Sequence, residues 1–157
     1  MLPPDLVIRS TRVVCRGVVA PACIHVSNGV IAALTAHHET LAGGPSVDVG
    51  NSVILPGLVD THVHVNEPGR TEWEGFQTAT RAAAAGGVTT IVDMPLNSIP
   101  PVTDGKGLQM KIDAAGGQCW IDVGFWGGLV PGNILELRPL HEQGVLGFKC
   151  FLIPSGV

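Results

Sequence analysis

Hydrophobic residues are spaced in two different ways along this chain, and the change falls near residue 54. From residue 5 to about 54, short apolar runs alternate with polar breaks: Leu6-Val7-Ile8, Val13-Val14, Ala22-Cys23-Ile24-His25-Val26 and Val30-Ile31-Ala32-Ala33-Leu34. Runs this short, bounded by turn residues, read as strands. Asn28-Gly29 between the last two is a hairpin signal, because both residues of such a turn take positive φ. Residues 1–54 are therefore expected to form a small, β-sandwich-like module.

From residue 53 onward the pattern becomes strand, helix, strand, helix. The first strand is expected over 53–65. Thr71-Glu72-Trp73-Glu74 has the form of a capping box and predicts an alanine-rich helix that ends at Gly86-Gly87, as helices often do at glycine. A second strand, 88–94, stops at Pro95. Thr103-Asp104 is placed to cap a second helix that ends at Gly116-Gly117, and a third strand follows over 120–130. Asn133 is expected to cap a short third helix ending near Gly144, before a fourth strand over 145–152. Near-continuous apolar strands alternating with helices argue for a parallel sheet covered by helices. Four strands and three helices over 55–157 correspond to the first half of a (β/α)8 TIM-type barrel, whose complete form takes roughly 250 residues. The expected class is α/β, an incomplete barrel behind a small β module.

Composition sharpens this. Charged residues are 14% of the 157, below the usual ~25%, so much of the surface is expected to be buried in a larger core or against a partner. No cluster of Lys and Arg is present among the nine, which argues against a nucleic-acid partner. The apolar runs fall short of the ~20 residues of a membrane span, and Met1-Leu2-Pro3-Pro4-Asp5 lacks the blocks of a signal peptide. Cys15, Cys23, Cys119 and Cys150 have no CxxC spacing and are expected to be reduced, mostly buried and inert. The expected location is cytoplasmic, with peroxisome or mitochondrion as alternatives.

The candidate chemistry lies at the end of the first barrel strand, in Gly57-Leu58-Val59-Asp60-Thr61-His62-Val63-His64. Side chains at i and i+2 on a strand point the same way, so His62 and His64 converge. Barrel enzymes place their sites at this end of the strands. The pair reads either as metal ligands or as two histidines bonded to the backbone. Asp60, on the same face one layer deeper, either orients a ligand from behind or satisfies backbone groups. Lys149 lies in the apolar run Gly147-Phe148-Lys149-Cys150-Phe151-Leu152. It either snorkels outward or, if buried, tends to lose its proton, and the free amine can take up CO2 as a carbamate. Arg70 is either a loop ion pair or a site residue. His25, His37, His38 and His141 are expected to be structural or solvated.

Pro56-Gly57-Leu58-Val59-Asp60-Thr61-His62-Val63-His64, followed by Asn66-Glu67-Pro68-Gly69-Arg70-Thr71-Glu72-Trp73-Glu74-Gly75-Phe76, strongly resembles the amidohydrolase superfamily. Within its cyclic amidase and dihydroorotase-like group, this run and Met94-Pro95-Leu96-Asn97-Ser98-Ile99-Pro100-Pro101 are similar to the allantoinase family. The resemblance covers the whole chain. It implies two Zn2+ ions bridged by a carboxylated Lys149, with His62 and His64 on one of them. The remaining ligands and the general-base aspartate are implied beyond Val157, so no catalytic base is expected within these residues. The implied reaction is hydrolysis of the hydantoin ring of allantoin to allantoate by a metal-activated hydroxide, in purine catabolism, by a homo-oligomer, a tetramer on the family pattern. Dihydroorotases carry arginine where this chain has Asn66, to grip a substrate carboxylate. Allantoin has none, so Asn66 suits it. Asn97 is a candidate substrate contact, or a turn residue before a proline-rich loop. A dihydroorotase or hydantoinase-type cyclic amidohydrolase is the alternative enzyme. A non-catalytic truncated isoform or assembly protein is the alternative of another class. An open half-barrel exposes strand edges, so residues 1–157 alone are expected to be inactive.

Overall fold

The computed structural model describes residues 4–39 and 44–154. The chain divides between Pro56 and Gly57 into two compact units. In the first, β1 (Leu6–Cys15), β2 (Val18–Ser27) and β3 (Val30–Ala36) form an antiparallel meander. Short strands β4 (Ser46–Asp48) and β5 (Val53–Ile54) both run parallel to β1, completing a five-stranded mixed sheet. Asn28-Gly29 makes the β2–β3 turn with φ of 51° and 75°, and Arg16-Gly17 makes the β1–β2 turn with 51° and 78°. These signs match the twist of a two-residue hairpin. His25 is buried in this sheet with Nε2 3.0 Å from the Thr35 hydroxyl.

The second unit runs β6 (Leu58–Val63), α1 (Phe76–Ala85), β7 (Val88–Asp93), α2 (Gly105–Ala115), β8 (Asp122–Phe125) and β9 (Gly127–Leu129). A 3-10 turn (Ile134–Glu136) then leads into α3 (Leu137–Glu142) and β10 (Phe148–Cys150). β6, β7 and β8 are parallel neighbours, and β9 pairs parallel with β10. Parallel strands joined by helical crossovers are the repeating unit of a βα barrel, here its first half. One buried cluster gathers Val65, Phe76 and Ile91, and another gathers Val102, Leu108, Leu140 and Val145. Phe125 packs on both, meeting Phe76 edge to face at 6.1 Å between ring centres.

Several elements depart from the sequence-based expectation, each for a local reason. The strand expected over 53–65 is two strands. Pro56 has no N–H to donate to a ladder, so Val53 and Ile54 pair with β1 while the barrel strand starts at Leu58. The strand expected over 120–130 breaks at Trp126. Its N–H bonds the Asp93 carbonyl at 3.0 Å, the next N–H bonds the Gly147 carbonyl at 2.9 Å, and the chain changes neighbour between them. The fourth strand is only Phe148–Cys150.

The capping box is not used. α1 begins after Gly75, which gives no side-chain cap, and Thr71 lies in a turn. Glu67 takes the cap's role by accepting the Phe76 N–H at 2.9 Å, while the Glu74 carboxylate accepts the Thr78 hydroxyl. Asp104 does cap α2, accepting the Gly107 N–H at 2.7 Å. Asn133 makes no side-chain cap. It accepts the Val130 N–H at 2.9 Å and donates to the Thr103 and Gly128 carbonyls at 2.8 Å each. All four cysteines are free, but only Cys23 is fully buried and Cys150 is exposed, because β10 ends there.

Candidate metal centre

The C-terminal ends of the parallel strands bring the chemistry together. His62 is on β6 and His64 is the first residue after it. Their ring centres are 5.2 Å apart, with planes tilted by 47°, as two-residue spacing on a strand requires. Both rings are exposed. Asp60 turns its carboxylate to the main chain and accepts the His62 N–H at 3.0 Å.

Lys149 approaches from β10. An open recess of about 280 Å³ is lined by Thr61, His62, Met94, Trp126, Phe148 and Lys149. A narrower one is lined by His64, Lys149 and Phe151 together with the Met94–Asn97 turn. Lys149 is half-buried and its ammonium sits 5.0 Å from the centre of the Phe151 ring. This is a cation–π distance.

Asn97 Oδ1 lies 2.6 Å from His64 Nδ1. An amide oxygen can only accept, so His64 donates from Nδ1, and the neutral form of that ring has its lone pair on Nε2. A partner on one ring nitrogen decides which nitrogen can bind a metal. Asn66 is buried at the start of a tight loop. Its N–H bonds the Glu74 carbonyl at 2.9 Å and its carbonyl accepts the Arg70 N–H at 3.0 Å. Neither recess described above is lined by Asn66. The Arg70 guanidinium stacks over Trp73 at 5.1 Å.

The donor set suits a borderline transition metal, since imidazole serves zinc, copper, iron and nickel alike. Two imidazoles and one amine facing adjoining recesses are a partial set. Among the described residues no group of three or more His, Cys, Asp and Glu is gathered to hold a metal.

Behind the recess lies a pair that sequence spacing does not announce. Asp93 at the end of β7 and Lys111 on α2 are both fully buried and meet at 2.5 Å. Asp93 Oδ1 accepts the Val65 N–H at 2.7 Å, and Lys111 Nζ donates to the Met94 carbonyl at 3.2 Å. Burial pushes the Asp93 carboxyl up, against the opposing pull of Lys111. Burial pushes the Lys111 ammonium down, against the opposing pull of Asp93. The available signal was Lys111 itself, three residues after Leu108 on the buried stripe of α2, where a lone cation is costly. Nor does spacing announce Trp126, whose indole N–H donates to the Thr61 carbonyl at 2.9 Å, beside His62.

The sequence pattern of the amidohydrolase family matches residues 53–146. The chain belongs to the amidohydrolase family. It is 60% identical over 154 residues to the allantoinase of Streptomyces avermitilis, covering 98% of this chain and 35% of that protein. It is 53% identical to the mitochondrial allantoinase of Aquarana catesbeiana, covering 96% and 31%. Among solved structures it resembles the L-hydantoinase (dihydropyrimidinase) of Arthrobacter aurescens, with a TM-score of 0.86 and 32% identity over 96% of this chain and 34% of that one. A D-hydantoinase gives a TM-score of 0.80 at 27% identity, with the same coverage. The chain thus spans about a third of the length of the relatives it matches. No helix among the described residues is long and apolar enough to cross a membrane.

Proposed function

We propose that these residues supply the front strands of a cyclic amidohydrolase that opens the hydantoin ring of allantoin to give allantoate. The observation that carries this reading is the convergence of His62, His64 and Lys149 on adjoining recesses at the C-terminal strand ends. The similarity to allantoinases, at 53–60% identity against 32% for the L-hydantoinase, supports allantoin as the substrate over other cyclic amides.

His62 and His64 would hold one of two zinc ions through their ring nitrogens, with Nε2 the free atom on His64. Bound there, the metal pair supplies Lewis acidity toward the ring carbonyl and an acidified water. Lys149 would bridge the pair after carboxylation. Its ammonium releases two protons as the N–C bond to CO2 forms, so a +1 group becomes a −1 group with two oxygens. Asp60 keeps the His62 main chain in place. Asn97, with Oδ1 committed to His64, has its NH2 group left to donate to a substrate carbonyl. Asn66 leaves uncharged the position where an arginine would select a carboxylate.

Two imidazoles and one amine are too few donors for a binuclear centre. Leu58, Val59, Leu146 and Leu152 are exposed in the barrel unit, and such apolar surface calls for cover. We therefore expect residues 1–157 expressed alone to turn over no allantoin. The test is a kinetic comparison of the complete polypeptide on allantoin, 5-substituted hydantoins and dihydroorotate, with H62N as the metal-ligand control. Preferred turnover of allantoin, lost together with metal in H62N, is expected. Faster turnover of a hydantoin or of dihydroorotate would overturn the substrate assignment.

A further inference from the structure

We propose that Asp93, held by Lys111, is the positioning residue for His64, acting through the main chain on either side of that histidine and through the Asn97 turn. The inference rests on the reading of His64 as a metal ligand and adds what keeps it in place.

The contacts form a closed set around one residue. His64 sits between Val63 and Val65. The Val65 N–H is held by Asp93 Oδ1 at 2.7 Å. The Val63 carbonyl accepts the Met94 N–H at 2.8 Å. The imidazole is held from the same segment by Asn97 at 2.6 Å. Residues 93, 94 and 97 thus fix both flanks and the ring of His64. That segment is fixed in turn by Lys111, which pairs with the Asp93 carboxylate and donates to the Met94 carbonyl.

Two observations set this apart from ordinary packing. Neither Asp93 nor Lys111 lines the recesses that hold His62, His64 and Lys149, so the pair does not meet substrate there. Both side chains are fully buried, and a buried ion pair is a poor source of stability, since apolar residues of equal volume do as well or better. Its use here is directional. The carboxylate aims a fixed acceptor at one amide, and the ammonium fixes the carboxylate.

The test compares two doubly substituted forms of the complete polypeptide. D93N/K111M removes both charges but keeps an oxygen for the Val65 N–H. D93L/K111M removes the charges and the acceptor. The readout is the zinc dissociation constant by chelator competition, on protein whose folding is checked by thermal melting. D93N/K111M is expected to bind within about 3-fold of the parent, and D93L/K111M ~10- to 100-fold more weakly, the usual cost of losing support behind a ligand. Equal affinities in two folded proteins would overturn the proposal. If D93L/K111M does not fold, D93A/K111M is read in its place. Failure of both to fold, while D93N/K111M folds and binds, would give the pair a purely structural role and also overturn it. A parent protein that holds no zinc would instead sink the metal reading itself, and the positioning role with it.

Discussion

His64 Nδ1 and Asn97 Oδ1 are 2.6 Å apart, and this contact joins the end of one barrel strand to the turn after the next. It fixes the imidazole tautomer that leaves Nε2 open. Replacing Asn97 with Leu removes the acceptor, and zinc affinity is expected to fall about 10-fold. Asn97→Asp keeps an acceptor and should bind zinc at least as well as the parent. Competition with a chromophoric chelator measures both, and equal affinities for the Leu and Asp forms would contradict the assignment.

The Asp93–Lys111 pair predicts opposite pH responses for its two single substitutions, measured as melting temperatures with metal removed by chelator. In K111M, Asp93 keeps the upward push of burial and loses its cation. A carboxyl raised above its unfolded value contributes stability below that value, and loses it as pH rises through the folded one. K111M should therefore melt lower as pH climbs. In D93N, Lys111 keeps the downward push of burial without its anion. An ammonium lowered below its unfolded value contributes stability above that value, and loses it as pH falls through the folded one. D93N should melt lower as pH drops. Each single change is expected to cost about 3–5 kcal/mol where the orphaned group is charged. Parallel pH profiles for the two would mean that the groups are not buried together.

Glu67 and Thr71 make a clean comparison at the start of α1. Glu67 Oε2 accepts the Phe76 N–H at 2.9 Å and also an amide hydrogen of Gln118 at 3.2 Å. Glu67→Ala is expected to cost about 1 kcal/mol or more, the typical loss for a helix cap. Thr71→Ala should stay within about 0.5 kcal/mol, as an exposed substitution outside any cap does. Denaturant unfolding ranks them, and the reverse order would restore the capping box.

Gly147 lies against Trp126. A Cβ at residue 147 would fall 2.3 Å from the indole ring, far inside contact distance, so Gly147→Ala must push that ring aside. Trp126 lines the recess beside His62 and holds the Thr61 carbonyl. The complete polypeptide carrying Gly147→Ala is expected to lose about 10- to 100-fold in kcat, the scale of a small misplacement near the reacting groups, with a shift in tryptophan emission. Unchanged kcat and emission would show that the ring is not a wall of the site.

What the sequence determined by itself was carried by short-range pattern. Alternating apolar runs and helical stretches define parallel βα units because each side chain's face follows from local periodicity. Asn28-Gly29 defines its turn because φ is a property of single residues. His62 and His64 fall side by side because side chains two residues apart in extended chain point the same way.

What only the tertiary structure decided was the identity of partners distant in the chain. Glu67 rather than Thr71 meets the first free N–H of α1, because the loop folds back over nine residues. Trp126 breaks a run that reads as one strand, because its two halves bond different neighbours. Asp93 and Lys111 are 18 positions apart and join only when α2 packs over the end of β7. Hydrogen bonds and ion pairs act over a few ångströms, and no local spacing encodes which remote group the fold brings within that reach.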